Sequence, residues 1–325
     1  HCDTIAEIYK DHKKGGRQSI LENQMMLDLK KMQAGDYGLQ NFALYVNLEQ
    51  AKGRPFEFCM ELLDTFYQEM EAHEDIIGIV RSYEDISRNC EQGRMSALLT
   101  VEEGGTCQGK TAFLRDFYRL GVRMMTLTWN FPNELAFPNA RITEEDGTFR
   151  MAPDTEHGLT DTGIAFVEEM ERLGMIIDIS HLNDAGIWDV FRHTKKPFVA
   201  SHSNARAVAS HPRNMTDDMI RELADRGGVM GINYYTCFLR DFCQDEAPVS
   251  RVSYMVEHMK HIRNVGGIGC LGLGSDFDGI ECELEMKDAS MVPMLADAMK
   301  REGFSQSELE AVFYKNVLRV YREIL

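Results

Sequence analysis

Met175-Ile176-Ile177-Asp178-Ile179-Ser180-His181 is a short apolar run that ends on an imidazole, and the pattern recurs along the chain. Phe198-Val199-Ala200-Ser201 leads to His202, Ala97-Leu98-Leu99-Thr100-Val101 to Glu102, and Leu271-Gly272-Leu273-Gly274-Ser275 to Asp276. His1-Cys2-Asp3 adds two more groups of the same kind. Runs this short and apolar, bounded by Gly, Asp, Asn or Pro, read as buried strands. Parallel barrels place their chemistry at the C-terminal ends of their strands. Ligand-type side chains delivered by separate strand ends therefore describe a barrel and a metal site together.

Eight such strands are predicted, at 1–6, 39–47, 96–102, 123–129, 174–179, 197–202, 228–233 and 269–275. Helical patterns separate them, at 54–72, 110–120, 160–173, 184–193, 215–226 and 250–265. Residues 54–72 carry Phe56, Cys59, Met60, Leu63, Phe66 and Tyr67 at helical spacing. Thr160 and Asn183-Asp184 are suited to cap helix starts, and Gly174 to end a helix. Asp217 and Asp218 place negative charge at a helix N-terminus, where the dipole favours it. Strand and helix alternate, which implies a parallel sheet. Eight repeats in 325 residues favour closure over an open doubly wound sheet. The expected fold is α/β: a (β/α)8 TIM-like barrel of the metal-dependent hydrolase type. It spans 1–325 as one domain, with 287–325 as two further helices packed on the outside. Residues 130–159, with Pro132, Pro138 and Pro153, lack a clear element and read as a lid or substrate wall.

The chain is 44% hydrophobic and 27% charged, enough to bury a sizeable core. Its formal net charge of −17 argues against nucleic acid or an anionic membrane as partner. The eight cysteines are scattered, with no C-x-x-C pair, and read as reduced thiols in a cytoplasmic protein. No apolar run reaches the roughly 18 residues of a membrane span, and no signal peptide is visible. The sequence begins on a ligand-type residue, so a secretion signal upstream stays open.

His1 and Asp3 at i and i+2 on a strand point the same way and can grip one ion together. Nitrogen and carboxylate ligands suit zinc and related divalent ions. Glu102 ends its strand and can bridge two ions, with the adjacent Glu103 as rival. A lone histidine after an apolar strand is more often a satisfied core residue, but His181 and His202 on consecutive strands reverse that reading. Asp276 is placed for general acid/base work, while Asp278 is left open because Asp278-Gly279 is also a common turn pair. Arg213 lies eleven residues past His202 and can hold a substrate carboxylate in a bidentate contact. Asn130 and Tyr235 join it as candidate substrate contacts.

Taken together these segments resemble the membrane (renal) dipeptidase family of zinc dipeptidases. The matching pieces are His1-Cys2-Asp3; Val101-Glu102 with its glycines; residues 121–128; Asp178-Ile179-Ser180-His181; Ser201-His202-Ser203 with Arg213-Asn214; Gly274-Ser275-Asp276-Phe277-Asp278-Gly279; and Asn316-Val317-Leu318-Arg319-Val320. The resemblance implies a microbial-type member with two Zn2+ ions. His1 and Asp3 hold one, His181 and His202 the other, and Glu102 bridges them. It further implies that Arg213 binds the C-terminal carboxylate of a dipeptide and that Asp276 is the acid/base. Family members cleave dipeptides, often tolerate a C-terminal D-residue, and some open β-lactam rings; a homodimer is implied by the resemblance alone. Two departures stand out. Trp129-Asn130 occupies the place where many members carry a histidine thought to stabilise the oxyanion, and an extra Glu103 precedes the glycines. The alternatives are another amidohydrolase-type barrel acting on acylated amino acids, cyclic amides or phosphotriesters, and a catalytically silent metal- or peptide-binding homologue. Sites of the first kind often bridge with a carboxylated lysine, and no lysine ends a predicted strand here.

Overall fold

The protein, seen here as a computed structural model, is described over residues 1–144, 146–241 and 248–325. Seven parallel strands run in order round the sheet: Leu39–Tyr45, Met95–Glu102, Met124–Thr126, Ile176–Asp178, Val199–Ala200, Val229–Asn233 and Leu271–Ser275. They are seven of the eight expected strands, most of them shorter than expected. A further strand, Ile77–Val80, escapes the sequence reading. It pairs with the first half of Met95–Glu102, and Met124–Thr126 takes over the pairing from Thr100 onward.

The expected strand at 1–6 is corrected. Only Cys2 pairs in parallel, with Phe277, and helix begins at Thr4. Asp3 N–H donates to Phe277 O at 3.0 Å, and Ala43 N–H donates to Cys2 O at 3.0 Å. Three residues thus fill the gap between the last strand and the first, closing the barrel as its eighth stave. Ile5 and Ile8 sit three apart, a helical spacing, and helix Thr4–Lys13 buries both.

The expected helices form at Pro55–Ala72, Thr111–Arg119, Asp161–Leu173, Asp184–His193, Asp217–Asp225 and Val252–Gly266. Their caps are those foreseen. Thr160 Oγ1 accepts from Gly163 N–H at 3.0 Å and Asn183 Oδ1 from Gly186 N–H at 2.8 Å. Gly174 ends its helix with φ +79°, a left-handed conformation open to glycine. Helices Leu29–Ala34 and Tyr83–Glu91 were not foreseen.

The tail is helical at Pro293–Arg301, Gln306–Glu310 and Asn316–Ile324, with a π-turn over Ala311–Lys315. Its helices are expected on the outside of the barrel; the last of them packs over one end of it. Val320, Tyr321 and Ile324 meet Leu98, Met124, Ile176, Val199 and Val229, so the helix plugs the end of the barrel opposite the ligand-bearing rim. The Tyr321 hydroxyl exchanges hydrogen bonds with the Asn41 amide at 2.7 and 2.9 Å. Each large apolar side chain buried in this plug contributes roughly 1.5–3 kcal/mol.

Within 130–159 an antiparallel hairpin pairs Ala140–Thr143 with Phe149–Ala152, its side chains largely exposed. Among the described residues no helix is long and apolar enough to cross a membrane. The seven described cysteines carry no disulfide; Cys243 lies outside the described residues.

At the last stave the register slips between Leu273 and Ser275, leaving Gly274 as a bulge against Gly231 of the neighbouring strand. A Cβ on Gly231 would lie 2.8 Å from Gly274 Cα and closer still to Ser201 O. Such overpacking costs about 1–3 kcal/mol. Gly231→Ala is expected to lower the denaturant midpoint accordingly with an unchanged m-value, measured by urea unfolding.

Candidate metal centre

Five of the expected ligands come together at the C-terminal rim. Glu102 Oε1 lies 3.0 Å from His181 Nε2 and 3.5 Å from His202 Nε2. Its other oxygen, Oε2, lies 3.3 Å from His1 Nε2, which is 3.5 Å from Asp3 Oδ1. Two triads result, His1–Asp3–Glu102 and Glu102–His181–His202, each with its ligand atoms within 4.8 Å of one another. They share Glu102, which turns one oxygen to each. Asp276 joins the cluster, with Oδ1 3.6 Å from His1 Nε2. It also forms a third compact group with His1 and His202, so its carboxylate stands within ligand reach.

The backbone is bent to achieve this. His181, Ser275 and Asp276 have φ of +70°, +48° and +74°. Non-glycine residues held left-handed store strain, which clusters at functional sites. The Gly274 bulge re-aims the chain, and Asp276 N–H then donates to Gly274 O at 2.8 Å. Asp3 occupies the N-cap position of helix Thr4–Lys13, yet its side chain caps nothing. An N-cap aspartate normally accepts from the helix, so this carboxylate is kept for the centre.

The imidazoles are oriented from behind. Asp178 accepts from Thr126 Oγ1 at 2.8 Å, from Ser201 N–H at 2.9 Å, from Ser180 N–H at 3.0 Å and from the Ser201 hydroxyl. With its proton given to Asp178, Ser201 Oγ accepts from His202 Nδ1 at 2.7 Å. Asn130 Oδ1, an acceptor, meets His181 Nδ1 at 3.1 Å. Both rings therefore carry the proton on Nδ1 and turn the Nε2 lone pair inward. Asn130 was expected as a substrate contact; its amide oxygen is engaged with His181, though the residue also lines the cleft. Asn233 Nδ2 donates to Asp276 Oδ2 at 2.8 Å and fixes that carboxylate.

The rivals separate. Glu103 is turned away, accepting from Gly105 N–H at 2.7 Å, Trp129 N–H at 3.0 Å and Asn133 Nδ2. Asp278 accepts from Thr4 Oγ1 at 2.6 Å and Met26 N–H at 2.7 Å, a structural tie.

Burial pushes Glu102 up to about 7, raises Asp276, and holds His181 and His202 well below the usual imidazole range. Burial also works against a charged His1, but Glu102 and Asp3 beside it outweigh that and raise it. Left alone, most of these groups shed charge. His1 Nε2, Asp3 Oδ1 and His202 Nε2 are moreover buried without a hydrogen-bond partner. Buried polar atoms normally have partners. Orphaned imidazole and carboxylate donors converging on one point fit divalent transition cations.

Above the cluster opens a cleft of about 380 Å3 whose lining includes Tyr45, Trp129, Tyr235, Phe238 and Ile280. Trp129 packs its ring 5.1 Å from Tyr45 and 6.1 Å from His181. Tyr235 is half-buried on the wall, and burial pushes its phenol up to about 12. Arg213 is buried with its ring neighbour Phe238 at 5.3 Å, and among the described residues its Nε and Nη2 have no partner. Desolvation lowers Arg213 to about 10. Among its described residues, the expected lid at 130–159 contributes only Asn130 to this lining.

The sequence model described as membrane dipeptidase, peptidase family M19, matches residues 1–325. The chain belongs to the membrane dipeptidase family. A Klebsiella pneumoniae protein encoded in the pqqA 5′ region, itself uncharacterised, is 33% identical over 84% of this chain and 98% of its own length. An uncharacterised dipeptidase of Schizosaccharomyces pombe is 31% identical over 91% of this chain and 71% of its own. The crystal structure of a family M19 metallopeptidase, dipeptidase AC, superposes with a TM-score of 0.88 at 24% identity, covering 100% of this chain and 97% of the other. A metallopeptidase of Rhodobacter sphaeroides, liganded with a phosphinate mimic of L-Ala-D-Ala, gives 0.87 at 23%, covering 100% and 98%. The membrane dipeptidase family accounts for the enzyme class: the chain is a hydrolase of the metallo-dipeptidase type.

Several groups of this family member went unassigned in the sequence reading. Asp178 was legible as a charge inside the apolar run Ile176–Ile179. Asn233, at the end of Val229–Asn233, obeys the same strand-end rule as the ligands. Ser201 stood out only as the neighbour of His202, and Tyr45 and Phe238 gave no signal. Asp178→Asn keeps the shape but turns an acceptor into a donor. It is expected to weaken metal binding about 10–100-fold, measured by competition with a chromophoric chelator.

Proposed function

We propose that this dipeptidase is zinc-dependent, that it holds two Zn2+ ions, and that it hydrolyses the peptide bond of free dipeptides, including those with a C-terminal D-residue. The observation that carries the reading is the pair of ligand triads sharing Glu102, with orphaned donors aimed inward and an unpartnered Arg213 fork beside them. His1 and Asp3 would hold one ion, His181 and His202 the other, and Glu102 would lie between. When bound, such a pair of cations lowers the pKa of a shared water and polarises the scissile carbonyl. The R. sphaeroides relative's L-Ala-D-Ala mimic supports tolerance of a D-residue.

The chain's own groups do the rest. Arg213 offers two free N–H donors to the terminal carboxylate, which fixes register and limits the substrate to two residues. Asp276, held at Oδ2 by Asn233, takes a proton at Oδ1 and returns it to the leaving nitrogen. The aromatic walls exclude water from the reacting bond. A lysine-bridged amidohydrolase is disfavoured, because the bridging position is filled by Glu102.

Dipeptide hydrolysis with and without a chelator tests the reading. Activity is expected to vanish on metal removal and to return with zinc, with two ions per chain by elemental analysis; full activity of metal-free protein would end the proposal. Asp276→Asn is expected to retain metal while kcat falls about 10²–10⁴-fold, read by steady-state kinetics with metal content. Arg213→Ala is expected to raise KM for dipeptides about thirtyfold or more, a contact to a buried charge being worth about 2 kcal/mol at least.

A further inference from the structure

Seven positions before Arg213 lies a second arginine in the opposite condition. Arg206 makes four side-chain hydrogen bonds. Its Nη1 and Nη2 grip Asp184 Oδ2 and Oδ1, both at 2.7 Å, in a bidentate pair. Its Nε donates to Asn214 O at 2.8 Å, and Nη2 also donates to Pro212 O at 2.8 Å. Those two carbonyls stand immediately before and after Arg213. Asp184 opens the helix Asp184–His193, three residues beyond His181. One planar group thus ties the backbone on both sides of Arg213 to the element that follows a candidate ligand.

We propose that Arg206 is a positioning residue: it fixes the Pro212–Asn214 backbone so that the free donors of Arg213 stand at a set distance from the ligand cluster, and thereby sets affinity for the substrate's terminal carboxylate. This rests on the reading of Arg213 given above. An ion pair made only for stability has no need of the carbonyls of residues 212 and 214. Their use is what links Arg206 to its neighbour. Asn139 Nδ2 donates to Pro212 O at 3.2 Å and Arg213 N–H to His211 Nδ1 at 3.1 Å, so the turn is held from other sides too. Among the described residues, however, only the Arg206 side chain spans both flanks. Lysine is a point charge and cannot reproduce four directed bonds.

The test uses the zinc-loaded full chain and compares a dipeptide with its C-terminal amide. The variants are R206K, D184N, R213A and R206K/R213A, with R206A added where it folds. For R206K and D184N the expected result is a KM for the free acid raised about tenfold, a kcat changed far less, and unchanged metal content. Hydrolysis of the amide should be equal in wild type and R206K. In the R213A background R206K should add less than about twofold, since coupled residues are non-additive. Three outcomes overturn the proposal: an unchanged KM in R206K, equal losses on acid and amide, or full additivity with R213A. A normal KM in R213A would remove the carboxylate role itself and this proposal with it. A raised KM in R213A beside a normal one in R206K would overturn the positioning role alone.

Discussion

Three imidazoles and three carboxylates, all buried, meet at one rim, and protein atoms alone leave several of them without a partner. Burying an unpaired ionised group costs several kcal/mol. The rest of the rim is arranged round that cost. Left-handed backbone at His181, Ser275 and Asp276, a bulge at Gly274, and an N-cap aspartate that caps nothing are each unfavourable locally. Each brings a charged or lone-pair-bearing atom to the same point. Cations there would offset desolvation of the carboxylates and use the orphaned nitrogens at once, which is how a bound ion inverts the local logic of ionisation.

Behind the ligands, a single buried carboxylate organises two strands. Asp178 accepts from both neighbours, through Thr126 on one side and Ser201 on the other. The hydroxyl of Ser201 carries that influence to His202, and Asn130 does the same for His181 from the loop. Precision at the rim therefore comes from hydrogen bonds running across the barrel wall, not from the ligands' own strands, two of which are only two or three residues long.

Much of this was legible because the physics is local. Short apolar runs ending in acids and imidazoles give the staves and the rim, and cap residues such as Thr160 and Asn183 give the helix starts. What was not legible depends on contacts far apart in sequence. The strand Ile77–Val80 is four residues long and shares its partner with another strand. Residues 1–6 contain both a stave and a helix start, and the choice is made by Phe277. The tail reads as helices on the outside, and only the assembled barrel shows that Val320, Tyr321 and Ile324 fit its open end. The choice between Glu102 and Glu103 needed Trp129 N–H and Asn133, which hold the second carboxylate away.

The eighth stave joins the two ends of the barrel in time as well as space. His1 O accepts from the Ser275 hydroxyl, 274 positions later in the chain. During synthesis His1 and Asp3 emerge well before Leu271–Phe277, the segment that holds them. The backbone of His1 and Asp3 cannot be fixed by Ser275 and Phe277 until that segment emerges. The rim that gathers the ligand-type side chains is accordingly completed only once both of these distant segments have been made.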